Sequence, residues 1–242
     1  MHIDLNSDLG ESFGAYRLGD DAAMMPYITS ANVACGYHAG DPQVMDATVR
    51  LCGAAGVRVG AHPSTPDLQG FGRREMSLAP DEAEVLVLYQ VGALAGFARA
   101  NGVELTHVKP HGALYNQAAR DPALAAAIAR GVRRFSRELA LVGLAGSALY
   151  AAAVEAGLRA LSEGFPDRAY NPDGSLRSRR LPGAVLDDPA QVAANAVRLA
   201  REGIAVQGGQ HIPVDTLCLH GDNPIAVEAA KAVRRALEEA GL

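Results

Sequence analysis

The chain has 242 residues, long enough for a sizeable core and close to the usual size of a closed α/β barrel. Hydrophobic residues make up 49% and charged residues 20%, ordinary values for a soluble globular protein. The net charge of −5 gives no general attraction to nucleic acid or anionic lipid, and with 5% aromatic residues there are few platforms for base stacking.

The chain opens on "MHIDLNSDLGES", which carries acids where a signal peptide would need an apolar run, so no export is expected. Strand patterns are expected over 2–6 and 28–35. Asp41-Pro42 then starts a helix with Met45, Val49 and Cys52 on one face and Gly56 as its stop. The Asp side chain caps free N–H groups, and proline fits the first helical position because its missing N–H is not needed there. A strand at 57–62 leads into a long irregular stretch, 63–77. The next helix runs from about 80 to 101, with Gly102 as its stop. Its most apolar part, 85–98, is too short to span a bilayer and reads as a helix buried on most sides, in part by a neighbouring protomer, so a homo-oligomer is one expectation.

A strand at 104–109 follows, then a helix opened by Asp121-Pro122 and strands at 139–145 and 159–165. A second irregular stretch, 166–187, has the length of a functional lid or a disordered segment. Asp188-Pro189, with Gln191 at capping-box spacing, starts a helix ending near Gly203. "QGGQ" at 207–210 is a turn, 215–220 is the last strand, and Asn223-Pro224 opens the final helix, ending near Gly241. Seven strands alternating with helices argue for parallel βα units, and no linker divides the chain, so one (β/α) barrel domain over 1–242 is expected. Cys35, Cys52 and Cys218 form no CxxC pair and read as reduced core residues of a cytoplasmic protein.

In a parallel α/β barrel the active site lies beyond the C-terminal ends of the strands. Titratable residues collect there: Asp8 and Glu11 after the first strand, His38 after the second, and His62 at the end of the third. Lys109 and His111 end the fourth, Glu163 the sixth, and His220 with Asp222 the seventh. Alternate strand residues face opposite sides. Asp4 and Asn6 share the parity of Asp8, Asn32 that of His38, and His107 that of Lys109, which points these polar groups into the barrel. A polar interior is costly unless hydrogen-bonded, and an active site supplies a reason for one.

The expected catalytic set is Asp8, Glu11, His38, His62, His111, Glu163, His220 and Asp222. Asn6, Asn32, Lys109, Asp167 and Arg168 are expected to bind substrate. Asp8, His38 and His62 suit a divalent metal that activates water, and equally a metal-free general base; no HExxH helix decides between them. Arg168, close to Glu163, is the preferred anion-holding arginine among Arg73, Arg74, Arg168, Arg177, Arg179 and Arg180. GxxxxGK[ST] is absent, so no motif locates a nucleotide.

With these residues in hand, the chain resembles the LamB/YcsF family of lactam-utilisation proteins, understood as the A component of 5-oxoprolinase. The resemblance covers nearly the whole length and rests on "DLNSDLGESFG" (4–14), "SANVACGYHAGDP" (30–42), "GAHPSTPDLQGFGRREM" (60–76), "VKPHGALYN" (108–116), "EGFPDRAYNPDGSLRSR" (163–179) and "HGDNPIAV" (220–227). It implies an irregular seven-stranded (β/α) barrel similar to that of polysaccharide deacetylases. It also implies ATP-dependent opening of 5-oxo-L-proline to L-glutamate, with partner subunits B and C and magnesium accompanying ATP. Two other readings stand beside it: a stand-alone metal-dependent deacetylase or amidase, and a non-catalytic binding subunit.

Overall fold

The computed structural model describes residues 3–179, 181–221 and 225–242. The first half of the chain runs β1 (Asp4–Leu9), α1 (Asp21–Met24), a 3-10 turn at Met25–Tyr27, β2 (Ser30–Ala34), α2 (Pro42–Ala55), β3 (Arg58–His62), α3 (Pro80–Ala100), β4 (Leu105–Val108) and α4 (Gly112–Ala118). The second half runs α5 (Pro122–Phe135), β5 (Ala140–Leu144), α6 (Ala148–Glu155), β6 (Arg159–Gly164), α7 (Pro189–Glu202), β7 (Ile204–Val206), β8 (Gln210–Ile212), β9 (Thr216–His220) and α8 (Ala226–Glu239).

Seven parallel strands close a barrel in the order β1-β2-β3-β4-β5-β6-β9, so the seven expected strands are the barrel strands. The closure is irregular. β6 meets β9 at only two residue pairs, Glu163 with Thr216 and Gly164 with Leu217, and the β3–β4 register shifts between Val59 and Gly60. The expected turn at 207–210 joins β7 and β8, a separate antiparallel hairpin that the sequence pattern does not announce.

The helices begin where their caps predict. Asp41 accepts from the backbone N–H of Gln43 and Val44, Asp121 from Ala123 and Leu124, and Asp188 from Ala190, each ahead of a proline at the helix start. Gly56 ends α2 at φ 69°, a left-handed conformation that glycine adopts without penalty. The final helix starts at Ala226, and Asn223-Pro224 lie outside the described residues.

One expectation is corrected: β1 spans Asp4–Leu9, so Asp8 sits inside the strand. Within the single chain, α3 buries one face (Ala83, Val87, Gln90, Val91, Leu94, Ala98) and exposes Val85 and Tyr89. It is 21 residues long and apolar enough, at mean hydropathy 1.2, to cross a membrane by composition. Here it lies against α5, where a Cβ on Gly131 would meet the Glu84 carbonyl at 2.6 Å.

Strand parity divides the interior as expected. Leu5 and Leu9 join the apolar cluster, as do Val33, Val59, Ala61, Leu141 and Leu217. Asn6, Asp8, Asn32, His107, Lys109 and Glu163 hydrogen-bond or ion-pair with one another inside the barrel. Gly60 makes room for this filling, because a Cβ there would lie 2.2 Å from His107 Nε2. Substituting Gly60 by Ala is therefore expected to destabilise the fold by about 2 kcal/mol in urea unfolding, as overpacked cores do; a loss below about 0.5 kcal/mol would contradict this packing.

Candidate functional site at the C-terminal mouth

The barrel interior carries one continuous polar network. At its floor, Asp4 accepts from Thr29, Ser30 and Thr216 and pairs with Arg58. One layer up, His107 lies between Thr106 and Asn32. Its Nε2 donates to Asn32 Oδ1 at 2.8 Å, and burial pushes its pKa down from 6.5 to about 4. Asn32 donates in turn to Asn6 Oδ1 at 2.7 Å and to Asp8 Oδ1 at 2.9 Å, while Asn6 donates to Glu163 at 3.1 Å and to Thr216 at 2.7 Å.

Lys109 is the centre of the next layer. Its ammonium lies 3.0 Å from Asp8 Oδ1, 2.9 Å from Glu163 Oε1, 2.9 Å from Cys218 Sγ and 3.3 Å from Asn6 Oδ1. Burial opposes its charge, but Asp8, Cys218 and Glu163 together raise its pKa well above the ordinary lysine value. Asp8 mirrors it: burial disfavours the carboxylate, yet His62 and Lys109 hold its pKa well below the usual range. The three N–H donors of Lys109, expected to hold an anionic substrate group, face four acceptors of the chain itself. Tyr115 completes this layer, donating to Glu163 Oε2 at 2.7 Å with its own pKa raised by burial and by Glu163. Burial also keeps the Cys218 thiol protonated, in accord with its reading as a reduced core residue.

Above Asp8 the histidines gather. His62 Nδ1 donates to the Lys109 carbonyl at 2.6 Å, and its Nε2 faces Asp8 Oδ2 at 3.3 Å and His111 Nδ1 at 3.0 Å. His111 Nε2 donates to the Phe71 carbonyl at 2.9 Å. Glu11 Oε1 stands 3.4 Å from His111 Nδ1 and 3.5 Å from His38 Nε2, and the His38 ring stacks on that of His111 at 3.8 Å. Burial holds His38 and His111 well below the ordinary imidazole pKa. The expected metal set of Asp8, His38 and His62 is regrouped. Glu11, His38, His62 and His111 place one ligating atom each within 4.8 Å of one another, while Asp8 groups instead with Cys218 and His220.

The two irregular stretches shape this mouth. In 63–77, Ser64 and Gln90 exchange two hydrogen bonds, and Asp67 pairs with Arg74. Phe71 is held at φ 54°, the only non-glycine residue with positive φ among those described, and its ring meets both His38 and His111. In 166–187, Asp167 accepts from His220 Nδ1 at 2.6 Å, and that charge, against burial, lowers its pKa. Arg168, the expected anion-holding arginine, donates to the carbonyls of Ala184 and Arg177 and so ties this stretch together, burial bringing its pKa down to about 10. Arg73 and Arg179 are exposed, and their charge is felt at His38 and at Asp167 respectively. Thus Asp8, Glu11, His38, His62, His111, Glu163, His220, Asn6, Asn32, Lys109 and Asp167 are brought together, while Asp222 and Arg180 lie outside the described residues. Tyr115, Phe71 and the Lys109 contact of Cys218 are additions that the sequence reading does not contain. Tyr115, one helical turn beyond His111, is the most readable of them.

Fold and mouth together define a parallel (β/α) barrel with a buried, titratable centre at its strand C-termini, where such barrels place their active sites. The chain belongs to the LamB/YcsF family, whose model matches residues 3–242. Proteins named as the A subunit of 5-oxoprolinase, from Chloroflexus aggregans and Pyrococcus furiosus, are 56% and 55% identical to it, covering all of this chain and 97% and 96% of their own lengths. A solved structure described as a lactam utilization protein, from Thermus thermophilus, superposes with a TM-score of 0.93 at 50% identity, covering 100% of this chain and 98% of its own. A family 4 carbohydrate esterase from Streptomyces lividans shares the fold at TM-score 0.50 and 14% identity, over 100% of this chain and 90% of that one.

Two outcomes are expected. Replacing Lys109 by Met leaves Asp8 and Glu163 buried without their counter-charge and lowers the unfolding free energy by about 3–5 kcal/mol in urea titration. His107 is neutral in the folded chain down to about pH 4 but protonates near 6.5 once unfolded. Its contribution is therefore whole above pH 6.5 and is lost as the pH falls from 6.5 to 4, at about 1.4 kcal/mol per unit. Urea midpoints taken across that window should fall less steeply for His107→Asn than for the unsubstituted chain.

Proposed function

We propose that this chain is the A subunit of an ATP-dependent 5-oxoprolinase, which with partner subunits B and C opens 5-oxo-L-proline to L-glutamate as ATP is cleaved to ADP and phosphate. The names of relatives 52–56% identical over its full length support the reaction. Three buried free cysteines suit a reducing, cytoplasmic location. The observation that carries the reading is the convergence of Asp8, His62 and the Asp167–His220 pair at one mouth of the barrel.

A five-membered lactam resists hydrolysis because its amide is resonance-stabilised and its ring recloses readily. Phosphorylation of the amide oxygen by ATP releases ADP and makes the carbonyl carbon electrophilic. A water then adds to that carbon and gives up a proton. If the tetrahedral species expelled phosphate it would only return the lactam, so productive collapse breaks the carbon–nitrogen bond and leaves an acyl phosphate. A second water hydrolyses this to the carboxylate and phosphate.

In the ring-opening step two proton transfers need residues, one from the attacking water and one to the leaving nitrogen. Asp8, kept ionised by Lys109, and His62, turned by the Lys109 carbonyl, stand together for the first. His220 holds one ring nitrogen on Asp167 and is more exposed than the other imidazoles of the site, which suits the second. Arg73 and Arg179 supply positive charge at the rim for the substrate carboxylate or the phosphoryl group. Glutamate formation in the reconstituted three-subunit system tests this. Asp8→Asn and His220→Ala should each lower kcat by about 100-fold or more, the range of general acid–base contributions. Near-normal rates in both would point to a component that binds without doing the chemistry.

A further inference from the structure

We propose that Glu11, His38, His62 and His111 form a binding site for one divalent transition-metal cation of the zinc type. The first support is geometric. With ligand bonds of about 2.0–2.1 Å, neighbouring ligand atoms of a tetrahedral zinc site lie about 3.3 Å apart. Three of the six edges are 3.5 Å (Glu11 Oε1 to His38 Nε2), 3.4 Å (Glu11 Oε1 to His111 Nδ1) and 3.0 Å (His62 Nε2 to His111 Nδ1), and all four ligand atoms lie within 4.8 Å of one another.

The second support is a count of protons. Backbone carbonyls only accept, so His62 Nδ1 and His111 Nε2 must each donate to the carbonyl it faces. In the neutral rings the two nitrogens that confront each other at 3.0 Å then both present lone pairs, with carboxylate oxygens of Glu11 and Asp8 beside them. Such a pocket of acceptors calls for a cation. Carbonyl partners on the outer nitrogens are also the arrangement that orients metal-ligating histidines.

His38 gives a third, independent sign. It is 0% exposed, yet neither of its ring nitrogens makes a hydrogen bond among the described residues. Buried polar atoms are rarely left so. Its ring lies nearly parallel to that of His111, 10° between planes, so one ring must turn for both lone pairs to meet one ion. His38, anchored by no hydrogen bond, is the one that can. Gly72 lets the chain close over this centre, since a Cβ there would lie 2.8 Å from His38 Cβ and 2.9 Å from His111 Cδ2. Three imidazoles and one carboxylate favour zinc, cobalt or nickel over magnesium, which prefers oxygen ligands and retains water. Four protein ligands fill a tetrahedral ion's coordination, the closed arrangement of structural zinc sites.

The test is direct binding to the full-length chain, stripped of metal by chelator and dialysis and titrated with zinc or cobalt(II). The expected result is one equivalent per chain, tetrahedral ligand-field absorption for cobalt, and a raised Tm. Weakening by about 10-fold or more is expected in Glu11→Gln and His38→Ala, with Cys218→Ala unaffected and the fold of each variant checked by circular dichroism. Absence of stoichiometric binding at millimolar cation would overturn the proposal and leave a shared proton in the cluster. So would one equivalent retained in both ligand variants but lost in Cys218→Ala, which would assign the ion to Asp8, Cys218 and His220. Binding and Tm are read on the unsubstituted chain without turnover or partner subunits, so this inference and the lactam-opening reading fail separately.

Discussion

The Lys109 ammonium, buried among Asp8, Glu163, Asn6 and Cys218, is the contact on which the rest of the interior depends. A carboxylate such as Asp8 cannot stay ionised inside a barrel without a counter-charge, and a lone ammonium there would lose its proton. Asp8 and Lys109 keep each other's charge. The two carboxyl groups at Lys109 are aimed by neutral partners: Asp8 by Asn32, Glu163 by Tyr115 and Asn6. Many barrels fill their centre with branched apolar side chains. This one fills it with hydrogen bonds from floor to mouth and places its apolar residues between strands and helices.

That interior explains the layout of the mouth. The backbone carbonyl of Lys109 sets the ring of His62, whose other nitrogen meets Asp8 and His111. The two long loops add outer braces. Phe71 accepts from His111 in one, and Asp167 accepts from His220 in the other. Arg168 serves the second loop by satisfying carbonyls of Ala184 and Arg177. The strain held at Phe71, with φ 54°, is what brings its carbonyl and its ring onto the histidines.

The barrel is legible in the sequence because its punctuation is local. Asp-Pro pairs mark helix starts, and apolar alternation marks strands. β1 runs further than its pattern suggests because its inward residues, Asn6 and Asp8, resemble loop residues when no partner is visible. The β7–β8 hairpin has strands of three residues, too short for any periodicity. Membership of the site follows from position at strand ends, but pairings do not. Lys109 meets Cys218 across 109 residues of chain and Asp8 across 101, and nothing local in "VKPHG" separates a lysine that binds substrate from one neutralising two buried acids. Arg168 is opaque for the same reason, since the carbonyls that bind it belong to a loop without regular structure.

A double-mutant cycle between Lys109 and Asp8, read as unfolding free energy, tests most directly whether one buried charge cluster organises this interior. If it does, the combined Lys109→Met and Asp8→Asn chain loses less stability than the two single losses added together, by about 2 kcal/mol or more, as coupled neighbours do. Losses that add to within about 0.5 kcal/mol, as they do for independent sites, would contradict it.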